Sequence, residues 1–168
     1  MKIAIKPSIL NGTIEIPPSK SYSHRAVIAA ALAEGGKKSK IDNLKFSVDI
    51  TTTTDIMENW GAEINRGKSS LEIIGNGGKV VPRDKYVQCN ESGSTIRFLI
   101  PIGITDENEL IFDGKGKLVD RPLDSYYRIF DKQGIFYKNE NGKLPLTVNG
   151  KLKAGNYEID GNISSQFI

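Results

Sequence analysis

Apolar and polar positions alternate at two periods along this chain, and the switches between them mark its elements. Val27, Ile28, Ala31 and Leu32 recur at helical spacing and predict an amphipathic helix. Ser19 stands at its N-cap, and Gly35-Gly36 marks its end at the C′ position. Residues 86–89, 71–75 and 146–150 read as strands, and residues 2–5 and 13–16 as a hairpin across Asn11-Gly12. A second helix is predicted over 49–60. It opens with Thr51-Thr52-Thr53-Thr54, and four poor helix formers in a row read as a hydroxyl-capped first turn. A third helix is predicted over 122–133, with Pro122 in its first turn.

These elements repeat. Residues 14–28 run from a strand into a helix start bearing Ser, Lys and Arg. Residues 86–100 do the same, with Arg97 falling where Arg25 falls, a period of about 72 residues. Trp60-Gly61-Ala62-Glu63-Ile64 leads to a turn at Arg66-Gly67-Lys68 and a strand, and Gln133-Gly134-Ile135-Phe136-Tyr137 leads to Asn141-Gly142-Lys143 and a strand. Each unit therefore reads β-α-β-α-β-β, an α+β (α/β) pattern. A third unit begins with a strand-like stretch at 157–160 and the small-polar helix start Gly161-Asn162-Ile163-Ser164-Ser165-Gln166-Phe167-Ile168. A helix of one turn does not stand alone, so the sequence is expected to be part of a longer design. The divisions expected are an N-terminal hairpin over 1–16, a first repeat over 17–79, a second over 80–150, and the start of a third over 151–168.

Composition narrows the class. The 168 residues are 38% hydrophobic and 26% charged, enough for one domain with a real core. No apolar run reaches membrane-spanning length, and the N-terminus lacks the apolar stretch of a signal peptide, so a cytoplasmic protein with no membrane partner is expected. A net charge of +3 from 23 basic and 20 acidic residues is too balanced to argue for nucleic acid. One Cys and one His argue against a metal site, and Cys89 reads as a small buried hydrophobe. No cofactor is expected.

The chemistry concentrates at helix starts. Pro17-Pro18-Ser19-Lys20-Ser21-Tyr22-Ser23-His24-Arg25 places two cations and several hydroxyls where unpaired N–H groups and the macrodipole favour an anion. Ser21, His24 and Arg25 are spaced to share one face. Taken locally, a capped helix with a solvated basic turn comes first, and an anion site second. The start at Glu91-Ser92-Gly93-Ser94, taken alone, reads as an ordinary glycine-containing cap, and the loop Asp113-Gly114-Lys115-Gly116-Lys117-Leu118-Val119-Asp120-Arg121-Pro122 reads equally as a flexible surface loop or as an arginine aimed at a phosphate.

Four motifs taken together carry a resemblance across the whole chain: Pro18-Ser19-Lys20-Ser21-Tyr22-Ser23-His24-Arg25-Ala26, Glu91-Ser92-Gly93-Ser94-Thr95-Ile96-Arg97, Asp120-Arg121-Pro122-Leu123 and Ser164-Ser165-Gln166-Phe167. In this order they resemble the enolpyruvyl transferase family, in its branch acting on shikimate 3-phosphate. The resemblance implies an inside-out barrel of three β-α-β-α-β-β units per domain, here about two repeats plus the start of a third. It implies transfer of the enolpyruvyl group of phosphoenolpyruvate to the 5-hydroxyl of shikimate 3-phosphate, with release of phosphate, in aromatic amino acid biosynthesis.

The resemblance implies that Lys20, Ser21, Arg25, Ser164, Ser165 and Gln166 bind shikimate 3-phosphate. It implies that Lys20, Gly93, Arg121 and Gln166 meet phosphoenolpyruvate, in the pocket where glyphosate competes in the family. Lys20 is the one residue it offers for a catalytic role. Glu91 and Ser94 stand where the family's commoner wording has Asn and Thr, so no role carries over to them. The family's acid–base group belongs to a second domain. The chain alone is therefore expected to be inactive, with the missing C-terminal portion of the enzyme as its partner. The alternatives are a non-catalytic anion-binding module, a sugar-nucleotide enolpyruvyl transferase or an RNA-phosphate cyclase; the Ser-Lys-Ser…His-Arg wording argues against the last two.

Overall fold

A computed structural model describes residues 3–4, 6–7, 9, 11–159 and 166. The first unit contains α1 (Lys20–Leu32), β1 (Lys38–Ile41), α2 (Val48–Asn59), β2 (Glu63–Arg66) and β3 (Leu71–Ile74). The second contains β4 (Tyr86–Gln88), α3 (Gly93–Gly103), β5 (Asn108–Asp113), a 3-10 turn (Gly116–Leu118), α4 (Asp124–Gln133), β6 (Phe136–Glu140) and β7 (Lys143–Gly150). The second unit is thus a complete β-α-β-α-β-β run.

Each unit builds its own sheet. The first has the order β1-β3-β2, with both pairs antiparallel and Ile74 opposite Lys38 on one side and Glu63 on the other. The second has the order β4-β5-β7-β6, in which β4 and β5 run parallel and the rest antiparallel. The β6–β7 hairpin turns on Asn141 and Gly142, both at positive φ, the geometry whose twist matches the strands. Leu71, Ile73, Leu110, Phe112, Leu146 and Val148 send alternate side chains inward, where Val27, Ala31, Trp60, Leu99, Ile100 and Phe130 from the helices meet them. One apolar core runs through both units. No helix of the described residues is long and apolar enough to cross a membrane.

The structure departs from the sequence reading in five places. The first helix ends at Leu32, before Gly35-Gly36. Its last carbonyls are satisfied from afar: Asn76 N–H donates to Ala31 O (2.8 Å) and Gly77 N–H to Ala33 O (2.9 Å). A Cβ at Gly75 would collide with Ala33 O, so the glycine lets the strand end pass against the helix end. The helix expected from Pro122 starts at Asp124.

The threonines are not a first-turn cap. Ser47 caps α2, and Thr52, Thr53 and Thr54 lie buried in its body. Lastly, residues 13–16 form no strand, and Ile14 and Ile16 are 80% and 79% exposed. The other half of that expected hairpin includes Lys2 and Ile5, outside the described residues. Without a packed face, two strands alone are marginal. The first unit accordingly lacks, among the described residues, a counterpart of β4. Residues 157–159 likewise form no strand, and Asp160 lies outside the described residues.

Candidate functional site

The start of α1 carries two different cation arrangements. Ser19 Oγ accepts from Tyr22 N–H (3.4 Å), fixing the first turn. Lys20 Nζ reaches Asp49 Oδ2 (2.7 Å) in the first turn of α2. Arg25 folds back along the helix, donating to the Ser21 carbonyl (3.2 Å) and hydroxyl, and its guanidinium lies over the Phe98 ring of α3, 4.8 Å from the centroid. Ser21 and Arg25 share the exposed face. His24 does not join them: it is turned inward and completely buried.

Around His24 the polar groups form a chain across three helices. His24 Nδ1 lies 2.8 Å from Thr53 Oγ1 of α2, and Thr53 Oγ1 lies 2.8 Å from Thr95 Oγ1 of α3. Thr95 donates its hydroxyl proton to Ser92 Oγ (2.6 Å), the N-cap of α3, which also accepts the Thr95 N–H (3.2 Å). Alongside, Asn90 Nδ2 donates to Thr52 Oγ1 (2.7 Å). Burial holds the His24 pKa down at about 4; Asp49 opposes this, while Lys20 and Arg25 add to it. The imidazole is therefore neutral at pH 7.

The start of α3 is zipped to the 113–122 loop. Lys115 N–H donates to Asn90 O (2.7 Å). The Glu91 carboxylate packs on Gly116, 2.8 Å from where a Cβ would stand. The Arg121 guanidinium occupies the space that a side chain at residue 93 would fill. Leu118 is buried beneath, so the loop is docked rather than a free surface loop.

Gln166 then bridges one turn of α3: Arg97 Nη1 donates to its Oε1 (2.9 Å), and its Nε2 donates to Ser94 Oγ (2.6 Å). Burial and then the neighbouring Arg121 charge lower the Arg97 pKa, which places two guanidiniums within each other's field. Beside them a cavity of about 540 Å³ opens beneath Arg25, Arg97 and Gln166, walled by apolar groups such as Ile28, Pro101 and Ile129. Its walls do not suit a multiply charged ligand.

Of the residues singled out from sequence, Lys20, Ser21 and Arg25 sit on one helix start. Gly93 and Arg121 are in contact, and Gln166 joins the second start through Ser94 and Arg97. Ser164 and Ser165 lie outside the described residues. Cys89 is buried, and burial pushes its thiol up to about 12, which leaves it inert as a nucleophile. Sequence reasoning missed Asp49 as the Lys20 partner, and the joint made by His24, Thr53, Thr95 and Ser92. A run of β-branched hydroxyl residues where a helix should bury apolar ones was the available signal for that joint.

A family model described as EPSP synthase (3-phosphoshikimate 1-carboxyvinyltransferase) matches residues 5–168. A 3-phosphoshikimate 1-carboxyvinyltransferase of Clostridium kluyveri is 50% identical over 166 residues, 99% of this chain and 38% of that protein. One from Clostridium novyi is 51% identical over 175 residues, 99% of this chain and 40% of that protein. The chain therefore spans about 40% of the length of the curated relatives it matches. Among solved structures, an EPSP synthase from Acinetobacter baumannii superposes with a TM-score of 0.78 at 22% identity, covering 93% of this chain and 37% of that one. At that identity the likeness concerns the fold.

Proposed function

This chain belongs to the EPSP synthase family, and from that premise we propose that its helix starts form one wall of a site for shikimate 3-phosphate and phosphoenolpyruvate. The reaction proposed is transfer of the enolpyruvyl group to the 5-hydroxyl of shikimate 3-phosphate with release of phosphate. Lys20, Ser21, Arg25, Ser164, Ser165 and Gln166 hold the shikimate ester, and Lys20, Gly93, Arg121 and Gln166 hold phosphoenolpyruvate. Residues 17–168 make up an incomplete substrate-binding domain, and residues 1–16 belong with a second domain.

One observation carries this reading. The structure gathers Arg97, Arg121 and the amide of Gln166 around the capped start of α3, with the Ser21–Arg25 face linked to it through Phe98. Both substrates carry several negative charges, and fixed cations and N–H donors hold such charge without reorganising. Arg121 presents a planar fork to a phosphate, and Gly93 permits the close approach. The carboxylates nearest the helix starts have other tasks, since Asp49 is paired with Lys20 and Glu91 packs on the loop. The proton-transfer group is therefore proposed to come from a facing domain, and the 168 residues are proposed to bind without turnover.

Titration of the isotopically labelled chain with shikimate 3-phosphate tests this. The amides of Ser21, Arg25, Ser94 and Gln166 are expected to shift, and unchanged spectra at saturating ligand would overturn the assignment. Phosphate release from both substrates by the chain alone would overturn the proposed need for a facing domain.

A further inference from the structure

We propose that His24, Thr53, Thr95 and Ser92 are positioning residues: a one-way chain of hydrogen bonds, protonated at His24 Nδ1, that holds the α1 and α3 starts in fixed register for anion binding. The inference rests on the reading of those starts as an anion site.

Proton accounting gives the direction. Thr95 has one hydroxyl proton, and it goes to Ser92 Oγ at 2.6 Å. The Thr53–Thr95 bond at 2.8 Å then takes the proton of Thr53. The Asp49 carbonyl, at 3.2 Å, is the longer alternative for that proton. With its own proton given to Thr95, Thr53 Oγ1 accepts from His24, so Nδ1 carries the hydrogen. Nε2 is left as a bare lone pair, and it has no partner among the described residues. This tautomer strands an acceptor rather than a donor, the better tolerated of the two.

Position makes the chain matter for binding. His24 lies immediately before Arg25 and three residues after Ser21, while Ser92 immediately precedes Gly93 and Ser94. Thr53, at the centre of α2, is the hub between them. A misplacement of about 1 Å at a site of fixed charges costs up to 10²-fold in function. The network is fully buried, so water cannot replace a lost member. A helix-filling aliphatic at each position would pack the same space without fixing rotation or register.

The test uses the 168-residue chain, titrated with inorganic phosphate and with shikimate 3-phosphate. The variants are Thr53→Val, which keeps the shape and removes the hydroxyl, Thr53→Ser, which restores it, and Thr95→Val. Both Val variants are expected to lose about tenfold in affinity, the size of one net hydrogen bond, and Thr53→Ser to stay within about twofold of the parent. A purely structural role would lower thermal stability without separating Val from Ser in affinity, and that result overturns the proposal. Should Thr53→Val fail to fold, Thr95→Val decides the binding arm, because it leaves the His24–Thr53 bond in place. Nitrogen-15 shifts of the His24 ring in the unsubstituted chain are expected to show hydrogen on Nδ1, and hydrogen on Nε2 overturns the proposed direction. If the unsubstituted chain binds neither probe, the site assignment falls, while the tautomer still decides the chain itself.

Discussion

The Arg121 guanidinium lies directly over Gly93, in the space where a Cβ at residue 93 would stand. This contact places an exposed arginine, on a loop with little regular structure, at the first turn of a helix. Gly93→Ala is expected to push Arg121 aside. Its φ is not in the left-handed region, and alanine is the better helix former, so thermal stability should hold or rise by up to about 1 kcal/mol. Phosphate affinity should fall about tenfold, the loss of a charge-assisted hydrogen bond. Calorimetry beside a phosphate titration separates the two. An unchanged affinity would show that Arg121 does not meet the anion.

His24 makes folding pH-dependent. Its folded pKa is about 4 against an ordinary 6.5, because burial disfavours the cation. Between those values the unfolded chain binds more protons than the folded one. Stability from this group is thus complete above pH 6.5 and falls as pH drops toward 4, by roughly 3 kcal/mol at most. Trp60 is the single tryptophan and is fully buried, so its fluorescence reports the transition. His24→Asn should flatten the slope over this window; the same slope in that variant would assign it to other groups.

Much of the fold was legible because its signals are local. Ser19 and Ser92 cap the helices they announce, and Gly134 ends α4 in the left-handed region as a C′ glycine does. The errors came from tertiary satisfaction of local needs. The end of α1 is set by Asn76 and Gly77, far along the chain, rather than by the nearby glycines. The threonines of α2 are tolerated inside a helix because Thr54 bonds back to Ile50 O, while Thr52 and Thr53 meet Asn90, His24 and Thr95. The cations at the helix starts could be named from sequence, but not their partners. Lys20 with Asp49 and Arg25 with Phe98 join residues tens of positions apart.

Pro101 shows the same principle and yields a stability test. It sits inside α3, where it has no N–H for the carbonyl of Arg97, four residues earlier. Tyr126 O–H donates to that carbonyl instead. Burial raises the Tyr126 pKa, so it remains a neutral donor across the working range. Tyr126→Phe should strand the carbonyl and cost about 1–3 kcal/mol in urea unfolding. A change below about 0.5 kcal/mol would mean that water reaches the carbonyl.

The Lys20–Asp49 pair sets how much positive charge the proposed site presents. The two side chains are 58% and 24% exposed, so their bond contributes at most about 1 kcal/mol to stability. On the proposed function its larger effect is on the anion, which would compete with the Asp49 carboxylate for the Lys20 ammonium. Asp49→Asn frees the ammonium and removes a negative charge from the helix starts. It should therefore tighten phosphate binding severalfold at low salt. The gain should shrink as ionic strength rises toward about 1 M, where the screening length falls to about 3 Å. Lys20→Met in the same background should remove the part of the gain that comes from the freed ammonium, leaving only the smaller part due to the lost negative charge. Weaker binding by Asp49→Asn would instead show that the carboxylate holds Lys20 in its binding position, so the sign of the change decides between masking and positioning.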